Sequence, residues 1–269
     1  MAKFEISTLP PRVLVCGEPA SGKTGALAQL ANAGYRLLIH DFDQNCRVIG
    51  SYLKPGAADV YVSTYTVAKM TNTNLFKSGA GVGEAGKQAV AELRKFCQML
   101  EHWKTDSEDL GPSSKLTAKD VIVIDSGTFL GELLLLAAYE DPETKRDLRS
   151  LYNVAGRYYS AILDHLTGNR IGASVVVLTH IMQTGEKDDQ GKIIGKARDI
   201  PVGVGEKFSK KMQTYFTDIW HLEVDRTGKR TFKTSATDKA SLRTSVPDKI
   251  KATEDFDMAF MFNRLIGLV

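Results

Sequence analysis

Eight residues near the start of the chain carry its most specific chemistry: Gly17-Glu-Pro-Ala-Ser-Gly-Lys-Thr24. The pattern Gly-x-x-x-x-Gly-Lys-Thr puts glycines where backbone N–H groups must wrap an anion closely, then a cation, then a hydroxyl. Between a strand and a helix such a loop holds nucleotide phosphates, with the helix N-terminus adding a favourable dipole. Lys23 is expected to reach the β- and γ-phosphates, and the Thr24 hydroxyl to ligate Mg²⁺. The cradle is read as Gly17, Glu18, Pro19, Ala20, Ser21, Gly22, Lys23, Thr24 and Gly25, and the implied ligand is ATP with Mg²⁺. The alternative is a glycine-rich turn that fits by chance. Its setting argues otherwise, because the apolar run Arg12–Cys16 leads in and a helical stretch from Thr24 to Ala33 leads out, closed by Gly34.

Three further side chains fall at strand ends. Asp125 closes the apolar run Val121-Ile-Val-Ile, where a carboxylate can orient water on Mg²⁺ or simply cap the next helix. Ser126 follows it, where many ATPases carry a glutamate, so another group must polarise the attacking water. Asp43, after the run Tyr35–His40, is the candidate general base; its other reading is N-cap of a helix over residues 44–53. His180 ends the run Ala173–Thr179 and can contact the γ-phosphate and report hydrolysis, or be a packed or solvated strand-end residue. Gly81-Val-Gly83-Glu-Ala-Gly86 matches a dinucleotide fingerprint, but no apolar strand runs into it, so Lys69 to Gly86 reads as polar loop.

The elements that must position these groups alternate between strand and helix. A short strand is expected at 60–66, and a helix from Gly86 to Trp103 with Val90, Leu93, Phe96, Leu100 and Trp103 on one face. A polar linker at 104–119 follows, with helices around 128–140 and 147–167. Residues 182–207 show no apolar period and read as a long loop, followed by a short helix from Lys207 to Tyr215. The run Ile219–Val224, the turn at Asp225–Lys229 and Arg230–Thr234 form a hairpin, and Glu254 to Leu265 an amphipathic helix. This is α/β architecture, a mostly parallel sheet covered on both faces. One domain over residues 1–269 is expected, with a leader at 1–11 and a helical tail from about 250.

Composition bounds the rest. Apolar residues make up 43% and charged residues 25%, ordinary for a globular protein, and no run approaches the roughly 20 apolar residues of a membrane span. The start of the chain lacks a signal-peptide core, which points to the cytoplasm. Three cysteines, Cys16, Cys46 and Cys97, show no metal-ligand spacing; Cys16 reads as a small buried hydrophobe. A net charge of +3 is too small to identify a partner.

Together the motifs resemble the RecA-like recombinase core. Gly17–Thr24 is of that family's P-loop type, and Val121-Ile-Val-Ile-Asp-Ser126 looks like its Walker B strand. Ile39-His-Asp-Phe-Asp43 falls where the family carries its catalytic glutamate, with Asp here one methylene shorter. Val175-Val-Val-Leu-Thr-His180 is similar to the strand that ends in the family's phosphate-sensing glutamine, with His instead. The resemblance covers roughly residues 12–245 and is strongest to short, core-only, phage-encoded recombinases implicated in single-strand annealing, acting in a host cytoplasm.

It implies a RecA-like P-loop fold with the His180 strand between the P-loop and Asp125 strands. It also implies an ATP-hydrolysing, single-stranded-DNA-binding recombination protein that forms a filament or ring and works beside a single-strand-binding protein, without a membrane. The loop after His180 falls at the position of the family's DNA-binding loops. Lys187, Lys192, Lys196, Arg198, Lys207, Lys210 and Lys211 are the candidate phosphate contacts, with a solvated loop as the alternative and Lys77 next in line. Lys233, Lys239 and Arg243 are the candidates for a basic residue that completes a neighbour's site, or are solubilising charges. A RecA-core helicase or helicase loader remains a competing function. A small-molecule kinase fits less well, because acids dilute the basic residues of the 182–207 loop.

Overall fold

The computed structural model describes residues 10–67, 80–105, 107–188, 190 and 193–268. In chain order the first elements are β1 (Arg12–Cys16), α1 (Lys23–Asn32), β2 (Arg36–Asp41), α2 (Arg47–Gly50), β3 (Val60–Thr64) and α3 (Ala80–Glu101). Next come β4 (His102–Lys104), β5 (Asp109–Pro112), β6 (Asp120–Asp125), α4 (Gly127–Ala138), α5 (Pro142–Arg146) and α6 (Leu151–Thr167). The chain continues with β7 (Ser174–Thr179), β8 (Ile181–Lys187), β9 (Ile193–Pro201), α7 (Gly205–Met212), β10 (Asp218–Val224), β11 (Arg230–Lys233), β12 (Thr253–Asp255) and α8 (Met258–Leu265).

Valine, isoleucine and leucine dominate β1, β6 and β7 because both faces of these strands are covered, which suits branched side chains on a pleated surface. The main sheet has eight strands in the order β12-β11-β10-β1-β7-β6-β2-β3. The six strands from β10 to β3 run parallel, and β11 and β12 add on antiparallel. Strand β7 therefore separates β1 from β6, as the RecA-like arrangement requires. Alternation splits the side chains between two cores. Leu14, Ile122, Ile124 and Val177 face the core under α3, α4 and α6. Val15, Val121, Val123 and Leu178 face the core under α1 and α8.

Several expectations change. Residues 81–86, read as loop, lie inside α3. Gly86 faces α4 so closely that an added Cβ would stand 3.3 Å from Leu136 O, and this packing keeps a poor helix former in a helix. The same helix ends at Glu101, so Trp103 is buried from strand β4 instead, and part of the 104–119 linker pairs as β4–β5. The 182–207 loop is largely the antiparallel hairpin β8–β9. Apolar alternation fails to announce it because most of β9 is open to solvent, with only Ile200 and Pro201 buried. In the tail, β12 precedes a shorter helix than expected.

An aromatic cluster braces the tip of β2. The Phe42 ring lies 4.6 Å from Tyr65 and 5.1 Å from Phe96, while His40 stands 4.9 Å from Phe96 and 5.1 Å from Trp103. His40 Nδ1 and the Tyr65 hydroxyl are 2.8 Å apart, and burial holds this imidazole neutral by lowering its pKa to about 3. Phe96→Ala should cost about 3–5 kcal/mol in denaturant unfolding, since the ring is fully buried among these partners. A loss below ~1 kcal/mol would show that the cluster does not support the strand tip.

Candidate functional site

The phosphate loop takes its shape from two left-handed residues, Ala20 at φ +61° and Gly22 at φ +100°. Gly17 N donates to Thr179 O at 3.2 Å and Ser21 N to Glu18 O at 3.2 Å, so the loop leaves β1 and folds back over α1. Gly22 is the N-cap of α1 and offers no side-chain cap, which leaves first-turn N–H groups for an anion. Glu18, Pro19 and Ala20 form the exposed crest, Ser21 and Lys23 are buried, and Thr24 and Gly25 are half-buried. Lys23 Nζ donates to Gly17 O at 2.9 Å and Glu18 O at 2.8 Å, so the ammonium sits inside the bend of the loop.

Strand alternation brings the acids to this point. Asp125 has the parity of Val121 and Val123, and Asp41 that of Leu37 and Ile39, all on the α1 face of the sheet. Thr24 Oγ1 donates to Asp125 Oδ2 at 2.7 Å. The Asp125 carboxyl is pushed up to about 7, first by burial and then by the charge of Asp43, while the Thr24 hydrogen bond pulls it down. Asp41, directly beside Asp125 in the β2–β6 register, is also raised, by burial and then by Asp43.

Asp41 adds a further acid beside the expected ones, inside the strand end Ile39–Asp43. Its Oδ1 accepts from Gln44 N at 2.8 Å and its Oδ2 from Cys46 N at 3.4 Å, shaping the turn that carries Asp43. The helix expected over 44–53 shrinks to α2, whose N-cap is Cys46 with no side-chain cap. Asp43 Oδ1 accepts a local bond from Asn45 N, 3.1 Å long. His180 donates its backbone N–H to Thr128 Oγ1 at 3.0 Å, and its ring lies 6.0 Å from Phe129. Burial and then the Lys23 charge lower its pKa, so the imidazole is neutral at pH 7.

The remaining candidates lie apart from this centre. Lys196 and Arg198 stand two residues apart on exposed positions of β9, and Lys196 Nζ is 3.8 Å from Asp238 Oδ2. Lys187 lies on β8, and Lys77 and Lys192 lie outside the described residues. Lys207, Lys210 and Lys211 share the exposed face of α7. Lys210 pairs with Glu206 at 2.8 Å, and Lys211 Nζ donates to Ser160 Oγ at 3.4 Å. Lys233 Nζ donates to Thr253 Oγ1 at 3.0 Å, and Lys239 is exposed. The Arg243 guanidinium is engaged within the chain, donating to Gln213 O at 2.7 Å and to Phe216 O.

A glycine-bent loop on a helix N-terminus, a lysine inside it and a hydroxyl–carboxylate pair behind it define a P-loop ATPase domain. Residues 9–243 match the family model described as an AAA domain, and the chain belongs to that family. No curated protein matches it. A solved structure described as a prototypical ATPase from the type III secretion system of pathogenic bacteria is similar at 10% identity with a TM-score of 0.35. The match covers 80% of this chain and 51% of that one, so the chain spans about half its length. Among the described residues no helix is long and apolar enough to cross a membrane.

The domain implies Mg²⁺, and the residues fit it. Thr24 and Asp125 supply hard oxygens in contact, and the Lys23 charge offsets only part of what raises the buried carboxyl. In the unfolded chain this carboxyl titrates near pH ~4. Between there and about 7 the folded protein keeps a proton that the unfolded chain has lost, so the Asp125 contribution to stability declines as pH rises through that window. In chelator, Asp125→Asn should therefore melt above the wild type at pH ~8 and level with it near pH ~4. A pH-independent gap in thermal denaturation would contradict the assignment.

Proposed function

We propose that this ATPase domain hydrolyses Mg²⁺-bound ATP and uses the bound phosphate to control single-stranded DNA held by the β8–β9 hairpin, as a self-assembling recombination or annealing protein. The supporting observation is that both ends of the hairpin are fixed at His180. Ile181 pairs with Pro201 at its base, and Val202 N donates to His180 O at 2.9 Å. A shift of His180 toward or away from a γ-phosphate thus moves both strands at once.

In this reading Thr24 and Asp125 would hold Mg²⁺, whose charge would offset that of the phosphates. Lys23 leaves the loop carbonyls for the β- and γ-phosphates. Asp43 orients the attacking water and takes its proton, a role open to it because Asp41 shapes the turn and Asp43 caps no helix. Neutral His180 can donate one ring N–H to the γ-phosphate. Lys196 and Arg198 on β9, with the α7 lysines beyond them, contact DNA phosphates without reading bases. A neighbouring copy would complete each site with Lys233 or Lys239, and Arg243 is left out because its guanidinium already serves Gln213 and Phe216.

Two measurements test this. Asp43→Asn should retain ATP binding and slow hydrolysis by ~10²-fold or more, whereas turnover close to wild type would transfer the base role elsewhere. ATP hydrolysis in the wild type should rise on adding single-stranded DNA. In Lys196→Ala, Arg198→Ala protein the basal rate should persist and the stimulation disappear, with the salt dependence of binding flattened by up to ~0.7 per lost contact. Unaltered affinity and salt slope would move the DNA site off the hairpin.

A further inference from the structure

Arg230 opens β11, far from the phosphate loop in sequence, yet its side chain returns to that loop. Its Nε donates to Ser21 O at 2.8 Å. The guanidinium carbon lies 5.8 Å from the centre of the Phe256 ring, which stacks in turn on Phe232 at 5.8 Å and 21°. Phe256 is tied to α1 by Gln29, whose Nε2 donates to Phe256 O at 2.9 Å and whose Oε1 accepts from Met258 N at 2.7 Å. The arginine is thus braced by a wall anchored on the helix that begins at the loop.

Arg230 also fits the glycine that closes the loop. A Cβ on Gly22 would stand 2.8 Å from Arg230 Nε and 3.3 Å from its Cδ. The stem of Arg230 occupies the space that any side chain at position 22 would need. Gly22, at φ +100°, has no side chain of its own to resist rotation of the Ser21–Gly22 peptide. In a trans peptide the carbonyl and the following N–H point in opposite directions. Holding Ser21 O against Arg230 therefore directs Gly22 N–H away from the arginine.

We propose that Arg230 is a positioning residue for the phosphate cradle: by holding the Ser21 carbonyl it keeps the Gly22 N–H turned toward the bound phosphates. The role rests on the reading of residues 17–24 as that cradle, and it needs no contact between Arg230 and the nucleoside. A structural brace alone would alter melting temperature. A peptide-plane lock alters affinity for phosphate itself, including a ligand without a base.

Calorimetric titration with Mg²⁺-tripolyphosphate and Mg²⁺-ATP separates these. Arg230→Ala should weaken both ligands by about tenfold, the scale of one charge-assisted hydrogen bond. KM for ATP should rise in parallel while kcat stays within about threefold. Millimolar methylguanidinium should restore most of the lost affinity. Unchanged affinity, a loss confined to ATP, or a fall in melting temperature without loss of tripolyphosphate binding would each overturn the assignment. Lys23→Ala serves as the reference. If it loses tripolyphosphate and Arg230→Ala does not, the Arg230 role fails and the cradle stands; if neither loses it, both fail. Should Arg230→Ala not fold, Phe256→Leu removes the brace and keeps the arginine. It should weaken both ligands by about twofold to threefold, and no change there would equally refute the role.

Discussion

Thr24 and Asp125 meet at 2.7 Å although β1, which leads into the phosphate loop, and β6, which ends in Asp125, are not neighbours in the sheet. Strand β7 lies between, and the register on both sides sets the contact: Cys16 is level with Thr179, and Asp125 with Leu178. The C-terminal ends of β1, β7 and β6 therefore lie nearly level, so the P-loop, His180 and Asp125 leave the sheet at one height. A slip of one residue in β6 would turn Asp125 from the α1 face to the opposite core. It would bury a carboxylate among Ile and Leu side chains with no hydroxyl partner. The paired cores above and below the sheet oppose that slip, and in doing so they set the chemistry of the site.

The cost of this arrangement is a concentration of negative charge. Asp41, Asp43 and Asp125 influence one another, and the two buried acids both take up protons more readily than free carboxylates. Lys23 sits close enough to offset part of the charge but is held by loop carbonyls. A site of this kind gains from any cation that reaches Asp125, and binding of Mg²⁺ there would compete with protonation.

What the residue order revealed followed how completely each element is buried. The strands β1, β6 and β7 were legible because they are buried on both faces and bounded by polar or glycine residues, and Asp125 and His180 at two of their ends followed. The onset of α3 was hidden because Gly81, Gly83 and Gly86 argue locally against helix, and only packing of Gly86 on α4 overrides them. The hairpin β8–β9 was hidden for the opposite reason: exposed on most of its surface, it has no core face to imprint a period of two. Arg230 reaches the Ser21 carbonyl, 209 residues away along the chain, and spacing cannot disclose such a contact.

The strength of any link between nucleotide and hairpin is bounded by the groups at its base. A ligand shifts an equilibrium only by its differential contacts with the two states. In the proposed reading His180 would give a γ-phosphate one ring donor, worth on the order of 1.5–3 kcal/mol, that of a single hydrogen bond to a charged group. That corresponds to roughly tenfold to 150-fold in affinity for whatever the hairpin binds. The foot of the hairpin is also held from the other side, where Asp199 N donates to Lys239 O at 2.7 Å. On the proposed reading, part of the gain at His180 would be consumed in working against that bond. Assembly changes the balance only if a neighbouring copy draws on the Lys239 segment. On the proposed reading, Lys239 would then belong at once to the hairpin's restraint and to the adjacent nucleotide, and coupling would be stronger in an assembly than in a monomer.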